Sequence, residues 1–199
     1  MKNKSRLMIL AILVIAMSSV AQVTGSFTDS RDGKMYKTVK IGSQTWMAEN
    51  LAYKASSGCW AYDNNPSNVK TYGYLYNWET AKKICPSGWH LSTDAEWTTL
   101  TSYLGSGSVA GGKLKETGNT HWQSPNKGAT NETGFTALAG GDRYVNGAFD
   151  FIGHYGYWWS STECGIEDAW YRGMSYNYSD VGRSDGSKTS GFSVRCIRD

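Results

Sequence analysis

Residues 91–105 read Leu-Ser-Thr-Asp-Ala-Glu-Trp-Thr-Thr-Leu-Thr-Ser-Tyr-Leu-Gly. Thr93 followed three residues later by Glu96 is a capping-box pattern. The Thr93 hydroxyl can meet the Glu96 amide while the Glu96 carboxylate reaches back. Trp97, Leu100 and Leu104 then recur at helical spacing, and Gly105 ends the helix. Asp94 and Glu96 are therefore cap and first-turn charges rather than catalytic acids. A second short helix is expected from the cap residue Asn77 to Ile84, closed by Cys85-Pro86.

Outside these helices the patterns are those of β-structure. Residues 36–41 and 44–47, joined by Gly42-Ser43, predict a hairpin. From Gly134 onward the expected strands are 135–139, 142–145, 148–152, 157–162, 169–176, 181–184 and 191–198, with a turn at Asn146-Gly147. In the last of these Phe192, Val194 and Cys196 share one face, taken as inward. Residues 105–133, rich in Gly, Ser, Thr and Asn, predict a long and mostly irregular loop. The expected class is α+β: two short helices, antiparallel strands and that loop region.

Composition sets the scale. A chain of 199 residues, 40% hydrophobic and 19% charged, with nine Trp, thirteen Tyr and five Phe, suits one domain around a large aromatic core. It does not suit a disordered tail. Lys2, Lys4 and Arg6 precede the apolar run 7–17, and Ser19-Val20-Ala21 has small residues at cleavage spacing, as in a secretory signal. Eleven apolar residues fall short of the ~20 needed to cross a bilayer. The expected organisation is a signal peptide at 1–21, a short leader at 22–33 and one domain at 34–199. Three of the 20 Lys and Arg lie in the signal and none of the 17 Asp and Glu, so the remainder is formally neutral. Clustered cations for nucleic acid are lacking, and no second apolar stretch approaches membrane length. Export, to the periplasm, the cell surface or beyond, makes disulfides the natural reading of Cys59, Cys85, Cys164 and Cys196. Their wide spacing does not suit zinc, and three pairings are open.

Five segments in order carry a resemblance. They are 44–51 (QTWMAENL), 72–78 (YGYLYNW), 85–91 (CPSGWHL), 157–162 (YWWSST) and 191–199 (GFSVRCIRD). Together they resemble the Fibrobacter succinogenes major paralogous domain family of exported bacterial proteins, over residues from about 30 to the end. More distantly, 91–97 and 191–195 are similar to segments of formylglycine-generating-enzyme-like domains. That likeness implies a C-type-lectin-like architecture, with N- and C-terminal strands paired and a long loop region. It implies the fold more strongly than the activity. Cys85 and Cys196 both sit inside the family's motifs, which implies that they pair and leaves Cys59 with Cys164.

Little catalytic chemistry accompanies the pattern. The closely spaced thiols that the formylglycine-generating resemblance would imply are absent, as are a G-x-S-x-G elbow, H-x-x-x-H spacing and a phosphate-binding glycine loop. His90, between Trp89 and Leu91, is expected to be a structural hydrogen-bonder. Asp63, Asn64, Asn65 and Asp142 are candidate calcium ligands, though the D-x-D-x-D-G loop is missing and turn formation is the favoured reading of these residues. Trp122, Trp158, Trp159, Trp170 and Tyr171 are candidate stacking surfaces for a sugar ring, Trp122 above all because it lies in the polar loop. The expected function is a secreted, non-catalytic binding module for a glycan or a surface protein. The alternatives are a structural subunit of a surface appendage and, behind it, a formylglycine-generating-type enzyme.

Overall fold

A computed structural model describes residues 23–199; the expected signal peptide lies outside them. In chain order the elements are β1 (Val23–Thr28), β2 (Met35–Ile41), β3 (Gln44–Met47), β4 (Cys59–Trp60), α1 (Val69–Tyr72), β5 (Leu75–Tyr76), α2 (Trp78–Ile84) and β6 (Trp89–Leu91). They continue with α3 (Asp94–Tyr103), α4 (Gly107–Leu114), β7 (Gly140–Arg143), β8 (Phe149–Ile152), β9 (Tyr155–Glu163), β10 (Asp168–Ser175), β11 (Gly182–Ser187) and β12 (Cys196–Arg198). The class is α+β.

Two five-stranded sheets organise the domain. The first runs β1-β2-β3-β12-β6 and is antiparallel throughout, so the last strand returns beside the first hairpin. The second runs β11-β10-β9-β7-β8. One of its contacts, Gly141 opposite Gly156, is parallel, against the all-antiparallel expectation. Alternation along the strands divides the interior in two. Trp46, Trp158 and Ile197 enter one cluster with Trp97, Leu100 and Phe135. Met47, Trp159 and Cys196 enter the other with Tyr76, Trp78 and Phe192. The expected inward face of Phe192, Val194 and Cys196 is present in this second cluster.

Local chemistry sets the helix ends. Thr93 Oγ1 accepts from the Glu96 amide at 3.1 Å, and Glu96 Oε2 accepts from the Thr93 amide at 2.8 Å, completing the capping box. Asn77 caps α2 through the Thr80 amide. Asp94, in the first turn of α3, is held by Arg172 from β10 at 2.6 Å and by Arg183 from β11 at 3.0 Å. Burial opposes ionisation of this carboxyl, but hydrogen bonds from Arg183 and Arg172 outweigh it and lower its pKa. The helix start is thus also the bolt between α3 and the second sheet.

Several expectations fail. The described residues hold four α-helices rather than two, and the stretch expected as a leader contains β1, which pairs with β2. The 105–133 segment is mostly irregular, as expected, but carries α4 at Gly107–Leu114. Glycines that read as loop residues serve close packing instead: a Cβ on Gly111 would lie 2.0 Å from Asp180 O, and one on Gly112 would lie 2.3 Å from Gly128 O. The strand expected at 135–139 does not form. It is an irregular segment with one bridge, Lys115 to Ala137, and Thr136 takes a φ of +54°.

The Cys85–Cys196 disulfide is present, joining the end of α2 to β12 across 111 residues with Cα atoms 5.9 Å apart. The second pairing is not formed. Cys59 and Cys164 are both free. Cys59 lies in β4 opposite Tyr76, its Sγ directed at Ala55 O at 3.4 Å, whereas Cys164 is exposed at the turn between β9 and β10. Neither packing requires a crosslink.

Candidate functional site

On β9, alternation puts Tyr155, Tyr157 and Trp159 on one face. Trp159 is covered by Phe192, ring centroids 4.3 Å apart. Toward the start of the strand the rings emerge. Tyr155 and Tyr157 stack with centroids 5.7 Å apart and planes within 5°. Tyr171 stands edge-on to Tyr157 at 5.6 Å, and Phe192 braces Tyr157 at 5.3 Å. Across the sheet Tyr157 pairs with Gly173, and Gly173 with Gly182. Two glycines in register leave bare backbone beside the rings, where a side chain on 173 would lie within 3.4 Å of Tyr157. The result is a groove of about 280 Å³ with Tyr178 and Asp180 on its rim.

Burial first, and then the nearby Asp142 charge, raises the Tyr157 pKa, so its hydroxyl stays protonated and can donate. Lys115 supports the rim. Its fully buried ammonium donates to Ser175 O at 2.8 Å, Tyr178 O at 2.7 Å and Lys127 O at 3.0 Å. Burial pulls its pKa down to about 8, which leaves it charged at neutral pH. Through Lys115 and Lys127 the 105–133 segment reaches the groove and fixes its edge.

The aromatic candidates separate. Trp122, Trp158 and Trp159 are core residues, each at most 1% exposed. Their indole N–H groups are bound internally, to Ala137 O, Asn50 Oδ1 and Tyr76 O. The polar loop around Trp122 folds over it, and both faces of the 158–159 pair are covered, so none of the three offers a ring to a ligand. Trp170 is half-buried with the Arg183 guanidinium 3.4 Å from its ring centre. Of the five, Tyr171 alone lines the groove, together with Tyr155, Tyr157 and Tyr178. Those three were not candidates. A half-buried Tyr beside a glycine on the neighbouring strand has no signature until the register is known.

Three of the four calcium candidates have local uses. Asp63 and Asn64 both sit at φ +54°, and Asn65 caps the Ser67 amide, as turn formers do. Asp142 lies in β7 opposite Asp150. Burial, then the Asp150 charge, pushes its pKa up to about 6. Among the described residues no three His, Cys, Asp or Glu side chains form a metal-holding group. His90 bridges Asp199 at 2.6 Å and Glu96 at 2.9 Å, a structural clasp between the chain end and α3.

A family model described as the Fibrobacter succinogenes major domain matches residues 39–198. The chain belongs to that family. The match takes in the whole second sheet, most of the first, the disulfide and every residue of the tyrosine groove; of the strands, only β1 lies wholly outside it. No curated protein and no solved structure matches the chain. No described helix is long and apolar enough to cross a membrane.

Proposed function

We propose that this family member is an exported, non-catalytic binding module that holds a neutral glycan in the tyrosine groove. The observation that carries the reading is the stacked Tyr155/Tyr157 pair beside the glycine floor. Flat rings with hydroxyl tips offer apolar faces and hydrogen bonds together, the combination a pyranose ring presents. The C-type-lectin-like architecture belongs to the same proposal, supported by the last strand lying in the N-terminal sheet and by the long segment at 105–133. The formylglycine-generating alternative loses support because Cys196 is tied to Cys85 and no reactive thiol pair remains near the C-terminus.

Exposed Tyr144, Val145 and Phe151 around the β7–β8 hairpin favour, as a second reading, a structural subunit that meets another surface protein there. A glycan array probed with and without calcium separates the readings. Glycan binding without calcium dependence supports the module. Tyr155→Ala and Tyr157→Ala should each weaken binding about 10- to 100-fold, equivalent to roughly 1–3 kcal/mol for a lost interface aromatic. Folded variants that bind an array hit as tightly as wild type would overturn the groove.

A further inference from the structure

A second concavity, on the far side of Trp158 from the tyrosine groove, has different chemistry. It is a cleft of about 630 Å³ lined by Lys37, Glu49, Glu116, His121, Thr136 and Arg195 among others, a size that suits a small molecule. Its floor is Arg195, which is 1% exposed. Nε donates to Asn50 Oδ1, Nη1 to Met47 O and Phe135 O, and Nη2 to Thr136 O. These four bonds leave one of the five guanidinium N–H groups, on Nη2, without an acceptor. Among the described residues no carboxylate lies in ion-pair contact with it. Buried guanidinium groups are ordinarily paired with an anion; this one is hydrogen-bonded only to carbonyl oxygens, and the Glu49 charge acts on it without direct contact.

The walls are set for a polar guest. Glu49 Oε2 accepts the Lys37 amide at 2.7 Å, and Glu116 Oε2 meets His121 Nδ1 at 2.8 Å. Each carboxylate keeps its other oxygen without a described partner. Thr136, a β-branched residue at φ +54°, is held in place by Asn131 Oδ1 on its amide and presents its carbonyl to Arg195. Strain of this kind persists where the surroundings over-determine it, and it clusters at ligand sites.

We propose that this cleft binds a small monocarboxylate that also carries hydrogen-bond donors. Its carboxylate faces the free N–H of Arg195 and the Lys37 ammonium at the mouth. Its hydroxyl or ammonium groups face the open oxygens of Glu49 and Glu116. Two cations and two anions line the site, so a phosphate dianion would meet both carboxylates, and a neutral sugar would leave Arg195 without an anion in direct contact. A sugar acid and an amino acid share the required chemistry. The proposal is independent of the glycan reading, since it uses no residue of the tyrosine groove.

The test is a titration of the full chain, followed in amide ¹H–¹⁵N spectra, with D-glucuronate and with L-alanine. D-glucose and L-alaninamide serve as controls without the carboxylate. Saturable shifts at Gly25, Gly134 and Thr136 with at least one carboxylate, and weaker binding of its control, support the site, and the active arm identifies the source. Lys37→Met, an exposed position, should weaken that binding roughly tenfold, as expected for a lost charge-assisted hydrogen bond. Arg195→Lys should weaken it at least as much; if that variant unfolds, Lys37→Met and Glu116→Gln carry the test. No saturable shift with either carboxylate, equal binding of the controls, or an unchanged Lys37→Met would overturn the proposal. So would shifts confined to Gly173 and Gly182, which would place the ligand in the other groove.

Discussion

Replacing Trp122 by Ala tests whether a tryptophan in a polar, glycine-rich segment belongs to the core. The ring is 1% exposed, its Nε1 donates to Ala137 O at 2.8 Å, and the Lys115 ammonium lies 5.3 Å from its centre. Truncating a buried aromatic costs about 3–5 kcal/mol, and the lost cation–π contact adds about 1 kcal/mol. The Ala137 carbonyl keeps the Glu116 amide at 3.0 Å, so the orphaned acceptor adds little. A total of about 4–6 kcal/mol is a large share of a domain's typical stability of ~5–15 kcal/mol. With a urea m-value of about 2 kcal/mol/M, the midpoint should fall by roughly 2–3 M with m unchanged. Trp122→Phe, which keeps most of the buried area and loses the N–H, should cost about 1–2 kcal/mol. A Trp122→Ala midpoint within error of wild type, together with weakened glycan binding, would refute the reasoning and return the ring to the surface.

Serine at both Cys85 and Cys196 should cost roughly 4–5 kcal/mol in the chain-entropy model, since the bridge closes a loop of over a hundred residues; non-reducing peptide maps should show that bridge with Cys59 and Cys164 alkylated as thiols. Asp94 has a folded pKa below its ordinary value, so its contribution is present above about pH 4 and is lost as pH falls through the folded value. Asp94→Asn should therefore flatten the acid limb of the stability profile, and an unaltered limb would count against the Arg172–Asp94–Arg183 bolt. His90 shows the opposite sign: burial opposes its protonation, but the hydrogen bonds its ring donates to Asp199 and Glu96 outweigh that and raise the pKa. Its contribution is full below about pH 6.5 and fades as pH rises through the folded value, so Asp199→Asn should shift the His90 ring titration downward by NMR. Gly111→Ala gains about 1 kcal/mol of helix propensity, yet its Cβ would meet Asp180 O at 2.0 Å; a net loss of roughly 1–3 kcal/mol is expected by thermal or urea melts.

Short-range chemistry was readable from the chain. The Thr93–Glu96 box, the Asn77 cap and the Gly42-Ser43 hairpin each depend on residues within four positions of one another, so the local pattern suffices. Recurring motifs carried the family and placed Cys85 against Cys196. Alternation in 191–198 named the inward face of the last strand, and alternation at 157–159 correctly divided Trp158 from its neighbours. What alternation could not say is that both faces are covered. That depends on α3 packing on one side of the second sheet and Phe192, Tyr76 and Trp78 on the other, contacts separated by scores of residues. The same limit hid α4: glycines at 111 and 112 weaken a helix locally, and only the approach of Asp180 and Gly128 requires them. The tyrosine groove is a product of register, since Tyr157, Gly173 and Gly182 become one row only when three strands are paired. The cleft over Arg195 depends on the 134–138 segment leaving the strand path, with Thr136 turned to φ +54°. The motifs and the resemblance they carry pointed to the family and one disulfide, and local patterns determined the caps and the class of fold. Tertiary packing decided which aromatics face water, because exposure belongs to both sides of a contact and a sequence shows only one.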